Sequence, residues 1–231
     1  MTHPLRRGIS TAVFCLVAAV IAVMAAPFIG PTPLSFGAVF STHLPFADNT
    51  DAQIFFLARL PRALAAALVG GTLATAGVVF QALLRNPLAT PYTLGISAGA
   101  SFGAMVAITF GFVLPFGLPM GGVAGASLAG AGLAVLVVYA LASARHSGLS
   151  TTVLLLAGVT MNSFFSALIL FVQYLSDFTE TFRALRWLMG DLDVAGYEPI
   201  LAALPLIALA LLGFGWLARP LNLLTLGADA A

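Results

Sequence analysis

Six apolar runs of about 20 residues recur along this chain, near positions 9–29, 60–84, 92–114, 120–143, 152–174 and 199–218, and almost all of its charge falls between them. A helix of that length covers the ~30 Å hydrocarbon core of a bilayer. Hydrocarbon offers no partner to a backbone N–H or C=O, so runs of this kind must pair their own backbone groups, as an α-helix does. Composition leads the same way. Of the 231 residues 61% are hydrophobic and 7% are charged, against roughly 25% charged in a soluble domain, and the mean hydropathy is +1.07. Polar surface this sparse cannot cover a water-soluble globule. The expected fold is an all-α polytopic transmembrane helix bundle of about six spans.

The first run follows Arg6 and Arg7 and is longer than the usual core of about 7–15 residues in a cleaved signal peptide, so it reads as a retained helix, with a cleaved signal ending at V-M-A before Ala26 as the competing reading. Two stretches are too broken to span. Residues 31–53 read as an extramembrane loop with one or two short amphipathic turns. Residues 176–199 read as a second loop carrying a short helix, with Asp177 and Glu180 at capping-box spacing and Gly190 as terminator. Phe182, Leu185 and Leu188 or Met189 are expected to form its buried stripe. Small residues recur every fourth position at Ala63, Ala67, Gly71 and Thr75, and again at Gly122, Ala126 and Gly130, spacings that let helix backbones approach closely.

Several chemistries are excluded. All nine basic residues are arginine, so there is neither a phosphate-loop lysine nor a Schiff-base lysine. Cys15 is the single cysteine, and His3, His43 and His146 are scattered, so no disulfide and no metal-ligand spacing arises. A net charge of +1 leaves no basic tract for nucleic acid. Residues 95–99, G-I-S-A-G, match the nucleophile-elbow pattern and raise a membrane-embedded serine hydrolase using Ser97 as an alternative. The elbow needs a preceding strand and a histidine base, however, and an apolar helix is expected here. An ion-coupled carrier is a second alternative, but it calls for a carboxylate buried mid-span, and every acid lies outside the expected helix centres. The reading has no catalytic residue, no metal and no cofactor.

Three polar features remain. Arg59 and Arg62 stand at the start of the second run, where cations oppose the helix dipole; snorkelling, pairing with Asp48 or Asp51, and docking of an acidic partner would each account for them. Residues 81–91, Q-A-L-L-R-N-P-L-A-T-P, end that run with Gln81 and Arg85 and then break it with two prolines, as in a helix bent inside a bundle. Thr160, Asn162, Ser163 and Gln173 lie at hydrocarbon depth and call for interhelical partners or a water-lined path. With the N-terminus inside, five arginines (Arg6, Arg7, Arg85, Arg145, Arg219) fall on the cytoplasmic side and four (Arg59, Arg62, Arg183, Arg186) outside.

Taken in order, residues 59–104 from R-L-P-R to A-S-F-G-A, then L-L-L-A-G-V-T-M-N-S-F-F-S-A-L-I at 154–169, R-W-L-M-G-D-L at 186–192 and R-P-L-N-L-L-T-L-G-A-D-A-A at 219–231 resemble the FecCD transport family. These are the permease subunits of ABC importers for iron-siderophores, haem and cobalamin. The resemblance implies a homodimer or pseudo-dimer in the bacterial inner membrane with a cytoplasmic N-terminus, two cytoplasmic ATPase subunits and a periplasmic substrate-binding protein. It implies that Arg59 and Arg62 dock the binding protein. It also implies that the region of Asn162 and Ser163, with Gln81, lines the translocation pathway. Residues 222–231, including Asn222, Leu223, Leu224, Leu226 and Gly227, would begin the segment coupled to the ATPase. Members have ten helices, so the expectation is an N-terminal portion lacking four spans, on the order of 100 residues.

Overall fold

The computed structural model describes residues 3–41, 45–111, 122–144, 151–192, 194 and 196–225. Among them there is no β-strand; in chain order the α-helices are α1 (His3–Ala25), α2 (Phe36–Val39), α3 (Thr50–Gln53), α4 (Leu60–Leu84), α5 (Ile96–Phe110), α6 (Gly122–Ser143), α7 (Thr151–Leu175), α8 (Phe178–Met189) and α9 (Glu198–Thr225). Five helical stretches are long and apolar enough to cross a membrane: Gly8–Phe28, Thr50–Leu84, Gly122–Ser143, Thr151–Leu175 and Glu198–Leu224. The run expected over 92–114 departs from this. Pro91–Leu94 forms a 3₁₀ turn, Gly95 takes φ 73°, and the helix stops at Gly111 with φ 63°. The remaining 15 residues of α5 reach about 22 Å, short of a full crossing.

The chain divides into two compact units, one of Met1–Gly71 with Leu192–Leu201, the other of Thr72–Asp191 with Ala202–Ala231. In the first, the broken stretch 31–53 forms the short turns expected of it. Ser35 caps α2 by accepting from the Ala38 N–H at 3.2 Å. Asn49 caps α3 by accepting from Ala52 N–H at 3.0 Å, while its amide donates to the Ala38 carbonyl at 2.7 Å. It is 4% exposed and is the one buried polar residue among those described. A buried amide must satisfy its hydrogen bonds, and here both ends of Asn49 tie the two short helices together. Phe28, Phe36, Phe40, Phe55 and Phe56 form a ring cluster with centroid spacings from 4.9 to 6.5 Å, the offset and edge geometry that aromatic quadrupoles favour.

In the second unit α6 and α7 pack on α5. The α5/α6 crossing is built on absent side chains: a Cβ on Gly99 would stand 2.6 Å from the Gly130 carbonyl oxygen, and one on Gly130 would collide with the Gly99 carbonyl. Gly103 likewise faces Ala126. The small-residue row at Ala126 and Gly130 is thus a packing seam. In the other row, a Cβ added at Gly71 would meet nothing within 4 Å outside the adjoining backbone of its own helix. Leu84, Leu94, Val138, Met161 and Phe165 fill the larger core, and Met105, Ile108, Val172 and Ala184 a second.

Helix α8 starts at the Asp177–Glu180 capping box and ends at Gly190 with φ 82°, as the spacing predicts. Its expected stripe is corrected. Phe182, Leu185, Leu188 and Met189 are 59%, 46%, 39% and 85% exposed, and Ala184 is the buried residue. A small side chain lets α8 approach its neighbours closely, and the bulky residues turn outward.

Candidate functional site

The R-L-P-R segment is built by its proline. Pro61 has no N–H, and in an α-helix its ring would press on the carbonyl four residues back. The chain accommodates it in a π-helix over Ile54–Arg59, where Leu60 N–H bonds to the Phe55 carbonyl five residues earlier. Arg59, at the end of this wider turn, is half-buried and donates from its guanidinium to the carbonyls of Pro27, at 3.2 Å, and Thr32. Gly30 lies under the guanidinium, where an added Cβ would stand 2.8 Å from Cζ. Asp51 accepts from the Ser35 N–H at 3.2 Å. Arg62, in the first turn of α4, is exposed.

The break after α4 follows from its sequence. Arg85 takes a left-handed φ of 48°, and the Asn86 side chain accepts from the Leu88 N–H at 2.9 Å to form an Asx turn. Thr90 and Thr93 then cap the 3₁₀ turn that leads to Gly95. This bend rests on α7. Gly95 lies where a Cβ would be 3.1 Å from the Gly158 oxygen and 3.2 Å from the Asn162 nitrogen, and a Cβ on Gly158 would collide with the Thr93 carbonyl. The expected bent helix is therefore present, and its bend meets α7 beside Asn162.

The polar residues of α7 divide. Thr160 and Ser163 donate to the carbonyls of Leu156 at 2.9 Å and Val159 at 3.2 Å, one turn back on their own helix. Asn162, Ser163 and Gln81 are all exposed, while Ala157, Gly158, Met161 and Phe165 are the buried residues of that part of α7.

Asn222, Leu223 and Leu224 are helical, at the end of α9; Leu226 and Gly227 lie outside the described residues. Leu224 shares a cleft of about 580 Å³ with Arg85, Leu94, Val138, Tyr139 and Thr151, so the end of α9 and the bend after α4 border one space. Asn222 borders a groove with Thr75, Val79, Ala82 and Phe214. Ser97 is the second residue of α5, after a 3₁₀ turn rather than a strand.

Two contributors escaped sequence reasoning. Asn49 sits in an unremarkable N-T-D string, and only its neighbours reveal that it is buried. Tyr197 donates its hydroxyl to the Phe56 carbonyl at 2.8 Å across 141 positions of sequence; Pro61 signals a carbonyl lacking its donor, but nothing local names the donor.

The FecCD transport family model matches residues 16–231. An uncharacterised ABC transporter permease of Bacillus subtilis (strain 168) is 37% identical over 188 residues, 80% of this chain and 52% of its own. A hemin transport system permease of Yersinia pestis is 35% identical over 228 residues, 94% of this chain and 64% of its own. A solved structure described as an inward-facing conformation of a metal-chelate type ABC transporter superposes with a TM-score of 0.73 at 30% identity, covering 93% of this chain and 62% of that one. The chain thus spans between about half and two thirds of the length of these proteins.

Proposed function

The chain belongs to the FecCD transport family, and from that membership we propose that it forms the membrane-crossing part of an ATP-binding-cassette importer for a metal chelate or related large ligand of the iron-siderophore, haem or cobalamin kind. It makes and breaks no bond. Two cytoplasmic ATPase subunits drive it, a periplasmic binding protein delivers the ligand, and a second permease subunit completes the pathway in the bacterial inner membrane. The family match across residues 16–231 carries this reading.

Within it, Arg59 and Arg62 present positive charge to acidic residues of the binding protein on the periplasmic side, with the N-terminus cytoplasmic. Complementary charge of this kind raises the encounter rate and fixes register. The exposed face of α7 at Asn162 and Ser163, with Gln81, borders the pathway; a mid-helix amide on an open face is stable where water or a second chain meets it. Residues 222–231 begin the contact with the ATPase. Nucleotide-driven movement there re-tilts the helices and exposes the pathway alternately to each side.

The test is charge reversal. Arg59→Glu with Arg62→Glu, in the permease reconstituted with its ATPase in lipid vesicles, should lower affinity for the soluble binding protein at least tenfold and flatten its salt dependence. Unchanged affinity and unchanged salt dependence would refute the docking role.

A further inference from the structure

Pro61 removes one backbone donor just after the π-helix that precedes α4. In its register Leu60 N–H reaches the Phe55 carbonyl, so the next bond would run from residue 61 to the Phe56 carbonyl. Residue 61 is proline and has no N–H to give. The Tyr197 hydroxyl donates to that same carbonyl at 2.8 Å. Tyr197 is also where α9 begins, since its own carbonyl accepts the first helical bond, from the Leu201 N–H at 3.0 Å. One residue therefore closes the start of α4 with its side chain and opens α9 with its backbone.

We propose that Tyr197 is a positioning residue for the R-L-P-R docking turn, its hydroxyl standing in for the N–H that Pro61 lacks and joining the starts of α4 and α9. The positioning role rests on the docking reading given above; the hydrogen bond does not. Arg62 is one residue past Pro61, so the orientation of that turn sets where its charge is presented. Arg59 holds the turn from the other side, through Pro27 and Thr32. With the Tyr197 bond gone, the Phe56 carbonyl must turn toward water or toward an α-register donor, and the π-turn loosens.

The experiment is a double-mutant cycle of Tyr197→Phe and Pro61→Ala, read two ways. Tyr197→Phe keeps the ring and removes only the hydroxyl; Pro61→Ala restores an N–H that can serve the Phe56 carbonyl itself. In hydrogen exchange on the detergent-solubilised chain, Tyr197→Phe should speed exchange of the amides of residues 58–60 about three- to tenfold, the scale of one net hydrogen bond. That effect should shrink to nothing on the Pro61→Ala background. In the binding assay with the soluble binding protein, Tyr197→Phe should weaken affinity by a similar factor while leaving the salt slope intact, because no charge has changed. Arg62→Gln should reduce that slope. An equal effect of Tyr197→Phe with and without Pro61 would overturn the substitution of hydroxyl for N–H. Faster exchange with unaltered binding, in a permease where Arg62→Gln does weaken binding, would overturn the positioning role and spare the docking reading. If Arg62→Gln leaves binding unchanged, docking at this turn is wrong and the positioning role falls with it.

Discussion

At the residue scale, Arg59 shows why a cation stands at a helix start where the dipole disfavours it. Its planar guanidinium supplies five N–H donors, and two carbonyls of the 27–32 turn, Pro27 and Thr32, accept from it while Gly30 leaves room for its plane. Lysine carries the same charge on a single ammonium and cannot reproduce a planar fork. Arg59→Lys should therefore lower stability by about 1 kcal/mol, a shift of ~2–4 °C in the thermal midpoint for a chain of this size. Gly30→Ala should act through the same contact by pushing the guanidinium aside, so the double variant should lose less than the sum of the singles. Strict additivity in detergent thermal unfolding would mean that Gly30 and Arg59 do not share this contact. Arg62, exposed in the first turn of α4, tests the docking proposal separately, since on that proposal its replacement should weaken binding of an acidic partner.

At the element scale, glycine decides which helices touch. Gly130 and Gly158 lie where an added methyl would collide with the backbone of Gly99 and Thr93 respectively, whereas Gly213 in α9 has open space around it. Backbone cannot move aside as the end of a side chain can. Gly130→Ala and Gly158→Ala should each destabilise by at least ~1–3 kcal/mol, and Gly213→Ala should be neutral or slightly favourable through helix propensity. A protease-resistance series in detergent would rank them, and equal resistance of all three would contradict the packing described. The same elements show what the sequence alone could carry. The bend between α4 and α5 was legible because two prolines, Asn86 and Gly95 each impose a local geometry. The capping box of α8 was legible for the same reason. The outward turn of Phe182 and Met189 was not, because in a membrane chain both faces of a helix can be apolar and hydrophobic spacing no longer separates inside from outside. Only the fit of Ala184 against Met105, Ile108 and Val172 decides it. Arg59 and Arg62 were visible as charges. The π-turn, Asn49 and Tyr197 that hold their segment depend on contacts distant in sequence, and no periodicity encodes those.

At the scale of the whole molecule, the length of a helix sets how far apart its polar ends stand. Helix α4 has 25 residues, about 37 Å at 1.5 Å per residue, and a ~30 Å hydrocarbon layer fits within it. Arg62 lies in its first turn and Arg85 immediately follows its last residue. A guanidinium is costly near the bilayer centre, so the arrangement of lowest energy puts these two ends at opposite membrane faces. Replacing the exposed Cys15 by alanine gives a background for single cysteines at Asp48 and Asn86. In intact spheroplasts a membrane-impermeant maleimide should label Asp48→Cys directly and Asn86→Cys only after the membrane is permeabilised. Reversed labelling would keep the span but invert the orientation, and the proposed docking role of Arg59 and Arg62 would fall with it. Labelling of both sites from outside would mean that α4 does not cross, and the proposed transport role would lose one of its spans.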